Sequence, residues 1–164
     1  MVSKKMEKAL NKQITAEMYS AYLYAAMGAY FDSQNLDGFA KWMRAQAKEE
    51  MGHAMKFYHY IVETGGRVIF EAIDKPQAEF GKPVKVFEEV LKHERKVTKL
   101  IDALVELARQ EKDFATDNFL QWFVAEQVEE EATADGILQK LKMIGEHPHG
   151  IFMMNAKLGE RSGS

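Results

Sequence analysis

Apolar residues recur every three or four positions through four long stretches of the chain, and that spacing predicts helices. The first stripe runs Met6, Leu10, Ile14, Ala21, Tyr24 and Gly28, and the second Phe39, Met43, Ala47, Ala54, Phe57 and Ile61. The third runs Phe87, Val90, Val97, Ile101, Leu104 and Ala108, and the fourth Leu120, Phe123, Ala134, Ile137, Leu141 and Ile144. The prolines are Pro76, Pro83 and Pro148, so each stretch is free of internal breakers. The expected helices run from an N-cap at Ser3 to about Phe31, from near Asp37 to Thr64, from Pro83 to about Gln110, and from a turn at Lys112 and Asp113 to near Gly145. Gly65-Gly66 ends the second, and Pro83 suits the first turn of the third.

Short polar turns join the first helix to the second and the third to the fourth, so each pair forms an antiparallel hairpin. Residues 65–82 link the hairpins. Extended, that segment reaches roughly 55 Å at ~3.3 Å per residue, whereas a helix of about 28 residues is only ~42 Å long. The link can therefore cross the whole bundle. The expected fold is all-α: a four-helix bundle over residues 1–145 with one long crossover. A short amphipathic segment, "IFMMNAKLG", follows within 146–160 and is either a tail folded back on the bundle or an oligomer contact. Residues 161–164 read as a flexible tail.

Each stripe is interrupted once by a carboxylate. Glu17, Glu50, Glu94 and Glu130 occupy core positions on the four helices, with His53 beside Glu50 and Gln127 beside Glu130. Glu17 stands 18 residues before Asn35 and Glu50 stands 15 after it, while Glu94 and Glu130 stand 18 on either side of Lys112. Equal distance from a turn means equal height, so each pair should face across its hairpin. Isolated buried carboxylates are costly, and several together repel one another and are driven to protonate. Metal cations relieve both problems. An oxygen-rich set with one imidazole suits iron(II) or manganese better than a structural zinc site. Glu50 and His53, at i and i+3, present two ligands on one helical face.

Composition narrows the alternatives. The chain has 164 residues, 46% hydrophobic and 29% charged, which suits one globular domain. A net charge of −3 with no basic run argues against a nucleic-acid partner. The absence of cysteine excludes disulfides, thiolate metal sites and cysteine nucleophiles. The charged start, "MVSKKMEKAL", lacks the core of a signal peptide, and no apolar run is long enough for a membrane span, so a cytoplasmic protein is expected. Other residues carry two readings each. Glu49, Glu126 and Glu129 either hold a looser third ion or line a solvated face. Tyr24 either hydrogen-bonds a ligand or serves as an electron donor, or else is a satisfied core tyrosine. Trp122 reads as core packing, and His147 and His149 as markers of a helix end.

Glu17, Tyr24, "EEMGH" at 49–53, "HE" ending in Glu94 and "NFLQWFVAEQVEEE" at 118–131 together resemble the bacterial non-haem ferritins, across nearly the whole chain. The resemblance implies a ferritin-like fold and a self-assembling cage of two dozen subunits that oxidises iron(II) and stores ferric mineral. It implies one iron site of Glu17, Glu50 and His53, a partner site of Glu50, Glu94 and Glu130, and Glu50 as the bridge. It implies a third site of Glu49, Glu126, Glu129 and Glu130, with Tyr24 and Gln127 as neighbours. It also makes "IFMMNAKLG", within 146–160, a short fifth helix that packs around the cage's fourfold axes. Bacterioferritins carry a second E-x-x-H on the fourth helix, where this chain reads Glu126, Gln127, Val128 and Glu129. Met51 stands where a haem ligand could sit, but the unsymmetric ligand set argues for no haem. Other di-iron oxidases of this fold also favour a second E-x-x-H.

Overall fold

The computed structural model describes residues 1–162. It contains α1 (Lys4–Ser33), α2 (Asp37–Glu63), α3 (Pro83–Gln110), α4 (Phe114–Ile144) and α5 (Pro148–Leu158). Local chemistry sets most boundaries. Ser3 Oγ accepts from the Met6 amide at 2.9 Å and Asp113 Oδ1 accepts from the Thr116 amide at 3.0 Å, so α1 and α4 have side-chain N-caps. Both hairpin turns pass through a left-handed residue, Asn35 at φ 58° and Lys112 at φ 55°. Asn tolerates that conformation because its side chain can bond locally.

α1 packs on α2, α3 on α4, and α1 also faces α3. The crossover fixes their directions. It leaves α2 beside the start of α1, where Asn11 Nδ2 donates to the Arg67 carbonyl at 2.9 Å and Asn11 Oδ1 accepts from the Ile69 amide at 2.7 Å. It arrives beside the end of α1, where the Tyr30 hydroxyl donates to the Gly81 carbonyl at 2.8 Å. It thus runs the length of α1, and α3 descends antiparallel to it. Ile69, Phe70 and Ile73 on the crossover remain exposed.

The apolar core is split in two. One half holds Tyr24, Met27, Phe31, Phe39, Trp42, Phe87, Val90 and Leu141 among others. The other holds Met6, Leu10, Ile14, Phe57, Ile61, Val97, Ile101 and Phe123. Between them lies a buried polar layer of Gln13, Glu17, Gln46, Glu50, His53, Glu94, Gln127 and Glu130.

The chain's end departs from expectation in two places. His147 and Pro148 do more than close α4, because Pro148 opens α5 and His147 is its N-cap residue. Arg161, expected in a flexible tail, is anchored to α2 by hydrogen bonds to the Trp42 carbonyl and to Gln46. Gly163 and Ser164 lie outside the described residues.

α5 also supplies a cap that α2 lacks locally. Leu36 at the N-cap of α2 has no side-chain acceptor. Asn155 of α5 fills the role: its Oδ1 accepts from the amides of Gly38 at 2.8 Å and Phe39 at 3.1 Å. Gly38 allows this approach, since a Cβ there would lie 1.8 Å from the Asn155 carbonyl oxygen. Gly38→Ala is therefore expected to lift α5 from the bundle. Limited proteolysis should cut the variant between residues 145 and 150 at least tenfold faster than the parent, and equal rates would contradict this docking.

Candidate metal centre

Each long helix contributes an inward carboxylate because each apolar stripe carries one glutamate in phase with it. Glu17 is 1% exposed, Glu50 2%, Glu94 1% and Glu130 8%. Such burial removes water from four acids without supplying enough protein donors to replace it. Gln13 Nε2 donates to Glu17 Oε1 at 2.9 Å, but Glu17 Oε2 has no hydrogen-bond partner among the described residues. Gln46 Nε2 donates to Glu130 Oε2 at 2.6 Å and more loosely to Glu50 Oε1 at 3.3 Å. Gln127 Nε2 donates to Glu94 Oε2 at 3.1 Å, and the Tyr24 hydroxyl donates to Glu94 Oε1. His53 Nδ1 lies 3.0 Å from Glu50 Oε2 and 4.0 Å from Glu17 Oε2.

The electrostatics follow. Burial, then the Glu50 charge, pushes the Glu17 carboxyl well above the usual range. Burial and Glu94 do the same to Glu50. Burial raises Glu94, against the opposing hydrogen bonds of Tyr24 and Gln127. Burial and the Glu94 charge lift Glu130 to about 7. Burial, then Glu94, holds the Tyr24 phenol well above its ordinary value, so it remains a donor. All four acids thus hold their protons to higher pH in the fold than they would in water.

Ligand atoms come within 4.8 Å of one another in three sets: Glu17, Glu50 and His53; Glu50, Glu94 and Glu130; and His53, Glu126 and Glu130. Glu50 belongs to the first two, with both of its oxygens inside the layer. A cation in either set would meet the unpartnered Glu17 oxygen or displace the excess protons. Hard carboxylate oxygens with one imidazole match iron(II) or manganese.

The remaining candidates fall less evenly. Glu126 is half-buried and points toward His53, with its Oε1 3.9 Å from Nε2. Glu49 and Glu129 are exposed, and Glu49 Oε1 pairs with Arg161 at 3.0 Å. Trp122 is not core as the sequence suggested. It is 42% exposed, lies edge-on to the His53 ring at 5.4 Å and carries the Lys56 ammonium 3.9 Å from its own ring centroid. Met51 is exposed, as are His147 and His149.

Two glutamines escaped the sequence reading. Gln13 precedes Glu17 by four residues, and Gln46 precedes Glu50 by four, so each sits one turn below its acid on the same face. That spacing was a usable signal. Thr98 was less visible. It accepts from Gln127 Nε2 at 3.2 Å and donates to Glu131 Oε2 at 2.9 Å.

A four-helix bundle with a long crossover, in which α1 to α4 each send a carboxylate into one buried layer able to hold metal ions, has the architecture of the carboxylate-rich metal-binding bundles. Comparison with known proteins is more specific. The Ferritin-like domain model matches residues 7–144. The Bacteroides fragilis bacterial non-heme ferritin is 50% identical over 161 residues, covering 98% of this chain and 100% of that protein. The Campylobacter jejuni bacterial non-heme ferritin is 43% identical over 153 residues, covering 93% of this chain and 92% of that protein. The open pore ferritin from the hyperthermophilic archaeon Archaeoglobus fulgidus superposes with a TM-score of 0.98 at 53% identity, covering 99% of each chain. The chain belongs to the ferritin family.

Proposed function

We propose that this protein stores iron, oxidising iron(II) to iron(III) at the buried centre with O₂ as electron acceptor and holding the ferric product inside a cage of its own subunits. One observation supports this most: two ligand sets share Glu50, so two ferrous ions would sit close enough to act together. Two iron(II) ions supply two electrons, which with two protons reduce one O₂ to hydrogen peroxide and leave two iron(III). Anionic oxygens favour the ferric state and so assist electron loss.

The side chains divide the work. Glu17 and His53 hold one ferrous ion, Glu94 and Glu130 hold the other, and Glu50 spans them. Gln127 and Tyr24 donate to Glu94 and keep its carboxylate aimed inward. Burial excludes bulk water from the pair. Glu126, with Glu130 and the more exposed Glu49 and Glu129, offers a looser third position toward the surface, as the family resemblance implies. No haem is needed for any of these steps.

The cage is proposed to hold two dozen subunits. Phe152 and Met153 on α5 are each 64% exposed and would be covered by neighbouring copies around a shared axis. Among the described residues no helix is long and apolar enough to cross a membrane, and the proposed setting is the cytoplasm.

Size-exclusion chromatography with iron analysis tests the reading. Aerobic addition of ferrous iron should yield a large assembly carrying far more iron than two ions per subunit. A small assembly with iron would contradict storage, and one that takes up no iron would contradict the centre.

A further inference from the structure

Arg161 lies just past α5, yet its guanidinium is seated on α2. Nη1 donates to the Trp42 carbonyl at 3.3 Å. Nη2 donates to Gln46 Oε1 at 2.9 Å and pairs with Glu49 Oε1 at 3.0 Å. Cζ stands 4.6 Å from the Trp42 ring centroid, and the side chain is 20% exposed. These contacts fix the guanidinium from several directions.

The contact with Gln46 carries the consequence. A carboxamide has an acceptor end and a donor end of nearly the same shape, whereas arginine offers donors only. With a guanidinium on Oε1, the Gln46 amide must turn Nε2 the other way. There it donates to Glu130 Oε2 at 2.6 Å and to Glu50 Oε1 at 3.3 Å. Without Arg161 the amide can rotate by half a turn at little steric cost. Its oxygen would then face two carboxylates and push them apart. The set of Glu17, Glu50 and His53 has its own orienting donor, Gln13, on the far side of the layer.

We propose that Arg161 is a positioning residue for the metal ion held by Glu50, Glu94 and Glu130: it fixes the Gln46 amide and so ties that ion position to the docking of the chain's C-terminal end. This rests on reading the centre as a two-ion iron site. Partners of this kind, one step removed from the ligands, typically alter metal affinity by about 10- to 100-fold.

Cobalt(II), which O₂ does not oxidise readily at carboxylate sites, serves as the probe. It is titrated into the metal-free, full-length assembly and followed by calorimetry and visible absorption. The parent should bind two ions per subunit in the layer. Arg161→Met keeps an apolar stem over Trp42 and removes the donors. It should weaken one ion about tenfold and leave the other within twofold. Gln46→Ala should give the same selective loss, and the double variant should lose no more than Gln46→Ala alone. Arg161→Lys, which still offers a donor, should recover most of the affinity. Unchanged binding in Arg161→Met, equal weakening of both ions, or losses that add in the double variant would each overturn the proposal. If the parent itself binds no cobalt in the layer, the iron reading fails first and the proposal falls with it.

Discussion

Glu50→Ala is expected to slow ferrous oxidation at least ~100-fold while leaving a folded assembly of the parent's size. Glu50 is the one carboxylate present in both principal ligand sets, so its loss strips an oxygen from each ion at once. Truncating Glu17 or Glu94 removes a ligand from one ion only and should leave a slower, single-ion reaction. Assembly is spared because Glu50 lies 2% exposed inside one subunit and makes no contact that α2 needs for its own helix. Metal-free Glu50→Ala should melt within a few degrees of the parent, since it loses both a cavity's worth of packing and a mutual repulsion among acids. Stopped-flow absorbance after mixing with ferrous iron checks the rate. A trace matching the parent's would remove the bridging role.

The second large effect is a dependence of stability on both pH and metal. Glu130 titrates at about 7 in the fold against an ordinary 4.5, while burial and the Glu50 charge push Glu17 well up, and burial and the Glu94 charge do the same to Glu50. Below about pH 4.5 folded and unfolded chains both hold these protons, and the groups exact no penalty. As pH rises past that value the unfolded chain releases its protons while the fold retains them, so the balance moves toward unfolding. For Glu130 this loss is complete above pH 7, and Glu17 and Glu50, raised in the same direction, add to it. At ~1.4 kcal/mol per pH unit, Glu130 alone accounts for roughly 3 kcal/mol, or roughly 5–10 °C in Tm for a chain of this size. The metal-free protein should therefore melt lower at pH 8 than at pH 5.5 in scans at one fixed rate. Cobalt(II) or anaerobic iron(II) should reverse the trend, because binding displaces the retained protons and becomes tighter as pH rises. A metal-free Tm that climbs steadily from pH 5.5 to 8 would contradict the assigned protonation.

Much of this architecture was legible in the chain because four glutamates interrupt otherwise regular stripes. An apolar stripe says which side of a helix is buried, and a charge in phase with it must be buried too. The turns helped: Asn35 and Lys112 are the left-handed residues about which the paired acids were counted. What stayed hidden depends on distance along the chain. Asn155 caps a helix whose first residues lie more than a hundred positions earlier, and Arg161 reaches Gln46 across 115. Neither leaves a periodic trace. Trp122 was misjudged for a related reason. Its body rests on the His53 ring and under Lys56, so an aromatic residue near the stripe could be half in water. The crossover's apolar residues likewise gave no sign of their direction, which is set by Asn11 at one end and Tyr30 at the other.

The band of acids and amides that divides the hydrophobic interior also acts as a key for threading. Hydrocarbon contacts alone are forgiving, and a helix displaced along its axis by one turn, ~5.4 Å, would still find leucine and phenylalanine to touch. Its glutamate would not. It would enter a region such as that around Phe57 and Phe123, whose rings stack at 4.2 Å and offer no donor or cation. Mis-slid arrangements are thus penalised at every helix, and the same side chains that would grip iron would also select the one alignment in which four rods can come to rest.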